Sequence, residues 1–271
     1  MSSIFQVSRQ WYSDLCDYYD VSPDKALELG TRSPNRKPSL PSSSTTHAVS
    51  DMTFEEIWDS GPRDTDEAVF KFYKDQGAWS AFRQVVRHKD MTQYHLSLLQ
   101  QVLRFGGTFV EYGCGAAPYT NSLLNAIDPS VELTIYLSDV DCEHFTFGYW
   151  RACKTIERRG LSRITLKQVE VKPGELPQYE NKIDAVMIFE VLEHVPSPLK
   201  TINNLYSQMN PGAFLCENFI KHDTNEGDSP DLYSAYLERS DYYTFLEENF
   251  GLAAGIKESD APNQTRIWSK K

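Results

Sequence analysis

The sequence predicts a doubly wound α/β domain preceded by an N-terminal helical cap, and three observations carry that prediction. Strand-like runs recur from residue 108 onward with helix-length stretches between them. A glycine-rich turn, "EYGCGAAPYT" (111–120), follows the first run and leads into a helix. Before it, apolar residues fall mainly at helical spacing.

Residues 4–29 open with Trp11, Leu15 and Tyr18 on a helical period, and Ser22-Pro23-Asp24 starts a second, shorter helix. The Pro- and Ser-rich stretch 32–50 has little to bury and reads as a linker or mobile loop. Helical spacing returns over 51–105, through Phe54, Trp58, Val69, Phe72, Tyr73 and Phe82, until Gly106-Gly107 ends the last helix. Seven strand-like runs follow, at 108–112, 132–138, 164–171, 183–189, 213–220, 252–257 and 264–269. Helices are expected at 118–127, 142–159, 197–209 and 240–249. Strands separated by helices of ten or more residues imply right-handed crossovers and a mostly parallel sheet. The cap is assigned to residues 1–84 and the α/β domain to 85–271, with an insertion at about 222–245.

Acidic residues outnumber basic ones 38 to 27, giving a formal charge of −11, which argues against a protein that wraps nucleic-acid phosphate. The basic residues between Lys154 and Lys167 read as the solvated face of a helix and its exit loop. Five cysteines without a CxxC pair fit free thiols in a reducing cytoplasm. No apolar run approaches a bilayer span, and the N-terminus lacks a basic-then-apolar signal segment. The expected protein is cytoplasmic, without a membrane or nucleic-acid partner. Whether it is a monomer or a homodimer is open.

In a doubly wound sheet the ligand lies beyond the carboxyl ends of the strands, so the first turn is where to look. A dinucleotide fingerprint wants Gly or Ala where Pro118 stands, and proline removes an N–H that a pyrophosphate would use. A phosphate-binding P-loop is excluded because no Gly-Lys-Ser/Thr follows. Glu111 instead puts a carboxylate at the strand end, where it suits an ammonium group.

At this point the sequence resembles the class I S-adenosylmethionine-dependent methyltransferases. Their acidic-x-G-x-G-x-G motif is matched by "EYGCGAA", with Ala117 at the third glycine. "IYLSDVD" (135–141) ends a strand on Asp139, where the family binds both ribose hydroxyls, and "IDAVMIFEVLEHVPSP" (183–198) resembles its fourth strand. The resemblance covers residues 85–271. It implies S-adenosyl-L-methionine as cofactor, held by Glu111, Gly113, Gly115, Ala117, Asp139, Val140, Phe189 and Glu190. Two departures stand out. Lys172 occupies the place of the usual adenine-binding acid, with Glu170 two positions earlier. Ala117 asks that the backbone there avoid conformations reserved for glycine.

Glu190, Glu193 and His194 fall on what reads as a first helical turn. Glu190 points to the cleft, and His194 is the candidate base for an acceptor that arrives protonated. The same trio, with His222, has the composition of a metal site. The expectation is nonetheless of no metal, because carboxylates there have a simpler use beside the cofactor's positive charges. Aromatic residues outside the sheet, with Tyr73 and Tyr233 foremost, and His222 are the candidate substrate contacts. The expected function is methyl transfer to a small molecule in specialised metabolism. The motifs read the cofactor and not the trajectory of attack. Transfer or cyclisation of the aminocarboxypropyl chain therefore stays open, as does a silent nucleoside- or partner-binding protein.

Overall fold

The computed structural model describes residues 2–31, 58, 61–63, 65–88, 100, 103–104, 106–219, 231–257 and 265–271. Phe54, His222, the segment 32–50 and the helix expected around Tyr94 lie outside the described residues.

Seven strands form one sheet: β1 (Gly107–Tyr112), β2 (Leu133–Asp139), β3 (Ile164–Glu170), β4 (Ile183–Ile188), β5 (Met209–Glu217), β6 (Phe250–Ala254) and β7 (Arg266–Lys270). Their spatial order is β3-β2-β1-β4-β5-β7-β6. The first five pair in parallel, and β7 runs antiparallel to both β5 and β6. The switch point falls between β1 and β4, so the turns after β1, β2 and β4 open on one side of the sheet.

In β1, Phe109, Val110, Glu111 and Tyr112 are all buried, as a central parallel strand requires. Phe109, Ile135 and Met187 meet Leu123, Leu124 and Phe145 on one face. Val110, Val186 and Leu215 meet Ile202, Leu205 and Leu246 on the other. The helices that supply these layers are α5 (Pro118–Ala126), α6 (Glu143–Arg159), α7 (Pro198–Gln208) and α8 (Tyr233–Asn249).

The helices that lie in full among the described residues before the sheet are α1 (Ser2–Tyr19), α2 (Pro23–Thr31), α3 (Asp66–Asp75) and α4 (Ala78–His88). They are tied to it by packing and by charge. Trp11, Leu15, Ala26, Leu29, Phe82 and Val85 bury against Ala116 of the glycine turn and Phe147 of α6. The Arg151 guanidinium is fully buried over the Trp11 ring and donates from Nε to Asp14 Oδ2 at 2.8 Å. Burial pulls the Arg151 pKa down to about 10 against the pull of Asp14.

Three expectations need correction. α8 begins at Tyr233, seven residues earlier than position 240, and its apolar residues do not form a single stripe. β5 begins at Met209, four residues early. The basic stretch after Lys154 is not merely a solvated face. Arg158 pairs with Asp14, and Arg159 donates to the Leu124 and Ile127 carbonyls at the end of α5, where those carbonyls need donors.

Candidate active site

The turn after β1 places every second residue in the left-handed region: Gly113 at φ 63°, Gly115 at φ 50° and Ala117 at φ 51°. A Cβ at Gly113 would collide with Val191, and one at Gly115 with the Gln84 side chain. The expectation that Ala117 avoids glycine-type backbone is therefore wrong. The alternating turn demands that conformation at the third site whichever residue stands there, at a cost of roughly 1–2 kcal/mol for alanine. Packing holds it there, for Ala117 is fully buried.

Ala117 also has no side chain with which to cap α5. Glu111, from the end of β1, supplies the cap: its Oε2 accepts from Thr120 N–H at 2.7 Å and its Oε1 from Tyr119 N–H at 3.3 Å. Burial pushes the Glu111 carboxyl up to about 7, and these bonds offset only part of that. The helix start that could have held a phosphate is thus occupied by the protein's own acid. Glu111 lines a cavity of about 60 Å³ together with Gly113, Phe189 and Glu190.

Asp139 closes the turn from β2. Its Oδ2 accepts from Gly115 N–H at 2.6 Å and its Oδ1 from Val140 N–H at 2.7 Å. Burial raises this carboxyl to about 6. Asp139, Val140, Gly113, Glu190, His194 and Tyr73 all line a larger cavity of about 150 Å³. Seven of the nine site residues named from the sequence as touching the cofactor or the chemistry thus line these adjoining cavities, as does Tyr73, while Gly115 and Ala117 build the turn between them.

Glu190 is not part of a helical turn with His194. It sits at φ 55°, outside a 3-10 turn that spans Leu192–His194. Its N–H donates to Asn218 Oδ1 at 2.9 Å, and Asn218 Nδ2 donates back to Glu190 Oε1 at 2.6 Å. His194 Nε2 lies 3.8 Å from Glu193 Oε1, and its Nδ1 lies 4.0 Å from Asp231 Oδ1. Among the described residues, Glu190, Glu193 and His194 do not make a metal-ligand cluster. Tyr233 is not brought to the site: it is 63% exposed and stacked on Tyr236.

Sequence reasoning missed several residues that line the larger cavity. Asp66, Val69 and Phe70 come from α3, Gln84 from α4, and Glu175 from the loop after β3. Gln84 accepts from Ala116 N–H at 2.7 Å, an N-terminal helix touching the glycine turn directly. Lys172 does not line the cavity, whereas Glu175 does. His144 also lines it, and the "DCEH" run just past Asp139 was the signal that could have found it.

A seven-stranded sheet of this order, with a glycine turn after β1 and an acid after β2, defines the Rossmann-like fold of the methyltransferases that the sequence resembles. Residues 86–235, more than half of the chain, match the family described as a methyltransferase domain, and the chain belongs to that family. Solved structures with a similar fold include the pyocyanin biosynthetic protein PhzM, at 13% identity and a TM-score of 0.45, covering 76% of this chain and 61% of that one. An O-methyltransferase family protein from Burkholderia thailandensis matches at 14% identity and 0.48, covering 78% of this chain and 64% of that one. An S-adenosylmethionine-dependent methyltransferase from Aquifex aeolicus matches at 16% and 0.41, covering 67% and 96%. The chain therefore spans less than two thirds of the length of the first two. No curated protein matches its sequence.

The chain carries a methyltransferase domain, and its sequence motifs imply S-adenosylmethionine as the cofactor. The donor set fits that cofactor. Four carboxylates line the larger cavity, Asp66, Asp139, Glu175 and Glu190, against one lysine, Lys200, among the described residues. A ligand with hydroxyls and positive charge suits this lining, and one with phosphates does not. No described helix is long and apolar enough to cross a membrane.

Proposed function

We propose that the enzyme methylates a small molecule held in the cleft between the strand ends and the N-terminal helices, which act as its cap. One observation carries this reading. The 150 Å³ cavity is bounded by Asp66, Val69, Phe70 and Tyr73 of α3 and by Gln84 of α4 on one side, and by the turns after β1, β2 and β4 on the other. Such confinement suits a compact acceptor better than a folded polymer. In this reading residues 1–84 are the cap and 85–271 the catalytic domain. Five free cysteines agree with a reducing, cytoplasmic setting.

Gly113, Gly115 and Ala117 form the floor on which the cofactor rests, and the Asp139 carboxylate offers acceptors to its ribose. Val140 and Phe189 flank it, and Glu190 stands near its positive charge. S-adenosylmethionine supplies a methyl group on a sulfonium, an excellent leaving group. The chain's own contribution is to exclude water and align the acceptor, which can supply much of the catalysis. Tyr73 touches the acceptor from the cap. His194 takes its proton when the acceptor arrives as an acid, phenol or ammonium.

Incubation with methyl-labelled cofactor and a panel of amino acids, phenols and carboxylic acids tests this proposal. RNA and unfolded protein run beside them. Label in a small acceptor with release of S-adenosylhomocysteine is the expected result. Label only in polymer would overturn the small-molecule reading, and methylthioadenosine as product would mean that another carbon of the sulfonium is attacked.

A further inference from the structure

We infer that Asp139, Cys142 and His144 form a site for a single thiophilic divalent cation of the zinc class. Occupation of this site excludes the cofactor. One ligand atom from each of the three lies within 4.8 Å of the others. His144 Nε2 is 3.2 Å from Cys142 Sγ. A tetrahedral zinc with Zn–S near 2.3 Å and Zn–N near 2.05 Å has an S···N edge of about 3.5 Å, so these two are already spaced for one ion. Rotation of the Asp139 carboxylate over a distance on the order of 1 Å completes a third ligand.

The histidine is oriented for this role from outside the cluster. Ser80 of α4 donates its single hydroxyl proton to Gly77 O at 2.7 Å. Towards His144 Nδ1, 2.7 Å away, it can then only accept. That assigns the ring proton to Nδ1 and leaves Nε2 bare, facing Cys142. An imidazole fixed through its second nitrogen is the usual support of a metal-binding histidine.

Sulfur, nitrogen and one carboxylate oxygen select a zinc-class ion over magnesium or calcium. His144 and Asp139 line the 150 Å³ cavity while Cys142 lies behind them, buried. The ion therefore enters through the cavity and keeps its fourth position, a water, on that side. On binding, the Cys142 thiol proton leaves to solvent and the S–H bond is replaced by a metal–thiolate bond. The exclusion of cofactor rests on the reading of Asp139 as the ribose acceptor, whereas the ion site itself does not.

The test uses the full chain stripped of metal by a chelator. Zinc affinity is measured by competition with a chromophoric chelator, and cobalt is added as a spectroscopic probe. One equivalent of cobalt should give a thiolate-to-metal charge-transfer band in the near ultraviolet. Cys142→Ser should abolish that band and weaken zinc by at least about a hundredfold, whereas Cys16→Ser and Cys153→Ser should leave both unchanged. Ser80→Ala, which removes no ligand, should weaken zinc about 10–100-fold, and it serves where Cys142→Ser does not fold. No band, or a band that survives both Cys142→Ser and Ser80→Ala, overturns the site. Calorimetry of cofactor binding at rising zinc should show its apparent Kd rising in proportion. Zinc bound at Cys142 with cofactor affinity unchanged would leave the ion site standing and refute Asp139 as the ribose acceptor.

Discussion

Asp139 offers the sharpest test of the cofactor site. Gly115 and Val140 N–H groups each occupy one lone pair of its two oxygens, at 2.6 and 2.7 Å. One lone pair per oxygen is left for the cleft, which matches the two hydroxyls of a ribose. A hydrogen bond to a charged acceptor contributes about 1.5–3 kcal/mol. Asp139→Ala should therefore cost about 3 kcal/mol of cofactor binding, roughly two orders of magnitude in Kd. Asp139→Asn keeps the volume and one acceptor and should fall between. The pH dependence adds a signature that lost packing would not imitate. Burial holds the folded carboxyl up at about 6, against an ordinary value of 3.8. Only the ionised form accepts from both hydroxyls, so Kd should be flat above pH 6 and rise about tenfold per unit below it. Stability of the free protein moves the other way. With a folded pKa above the unfolded one, the native state binds more protons, so this contribution is present below pH 3.8 and is lost as pH rises through 6. Glu111, pushed up to about 7, adds a loss of the same sign that extends to higher pH. Isothermal calorimetry from about pH 5 to about pH 8 measures the binding and urea unfolding the stability. An Asp139→Ala variant within about threefold of wild type, or a binding step near pH 6 that persists in Asp139→Asn, would refute the assignment.

Asp14→Ala should destabilise the protein by about 3–5 kcal/mol, because it leaves the Arg151 guanidinium buried without its counter-charge; urea denaturation reads this directly. Deleting residues 1–50 strips Trp11, Leu15, Ala26 and Leu29 from the cluster that covers Ala116 and Phe147, and is expected to remove most activity. Full turnover in that truncation would refute the cap. Ala117→Gly exchanges left-handed strain for a lost buried methyl and extra unfolded-state freedom, and should change stability by less than about 1 kcal/mol. Ala117→Val should lower the urea midpoint clearly, since a β-branched residue tolerates φ 51° poorly. His194→Asn should lower kcat about 10²–10⁴-fold for a protonated acceptor while leaving cofactor Kd unchanged. Turnover should also be indifferent to EDTA; activity lost and then restored by one metal would make His194 a ligand rather than a base.

What the sequence reveals of this protein divides by the distance over which each feature is determined. β1 was legible because Thr108, Phe109, Val110 and Tyr112 are β-branched or aromatic, the residue types that favour a strand. Gly113 and Gly115 were legible because their backbone conformation is encoded in the missing side chain. Ala117 adopts the same backbone without that mark, so its residue type pointed the wrong way. α8 was read late because its buried Leu232, Ala235, Tyr242 and Leu246 share one face, but exposed Tyr233, Tyr236 and Leu237 spread apolar residues around the rest of its start and blur the period. The polar assembly of the site was the least legible part. Gln84 reaches Ala116 across 32 residues of chain, and Arg151 reaches Asp14 across 137. No local period marks such pairs, because each side chain is polar for a reason that exists only once the helices have docked. Glu190 shows the same rule at the centre of the site. Its spacing from Glu193 and His194 imitates one helical face, yet its φ of 55° takes it out of the turn. Asn218, at the end of the neighbouring strand β5, holds it there by accepting from its backbone N–H and donating to its carboxylate. A strained acid fixed from both ends by an adjacent strand is a property of the sheet order, β4 beside β5, rather than of the segment that contains it.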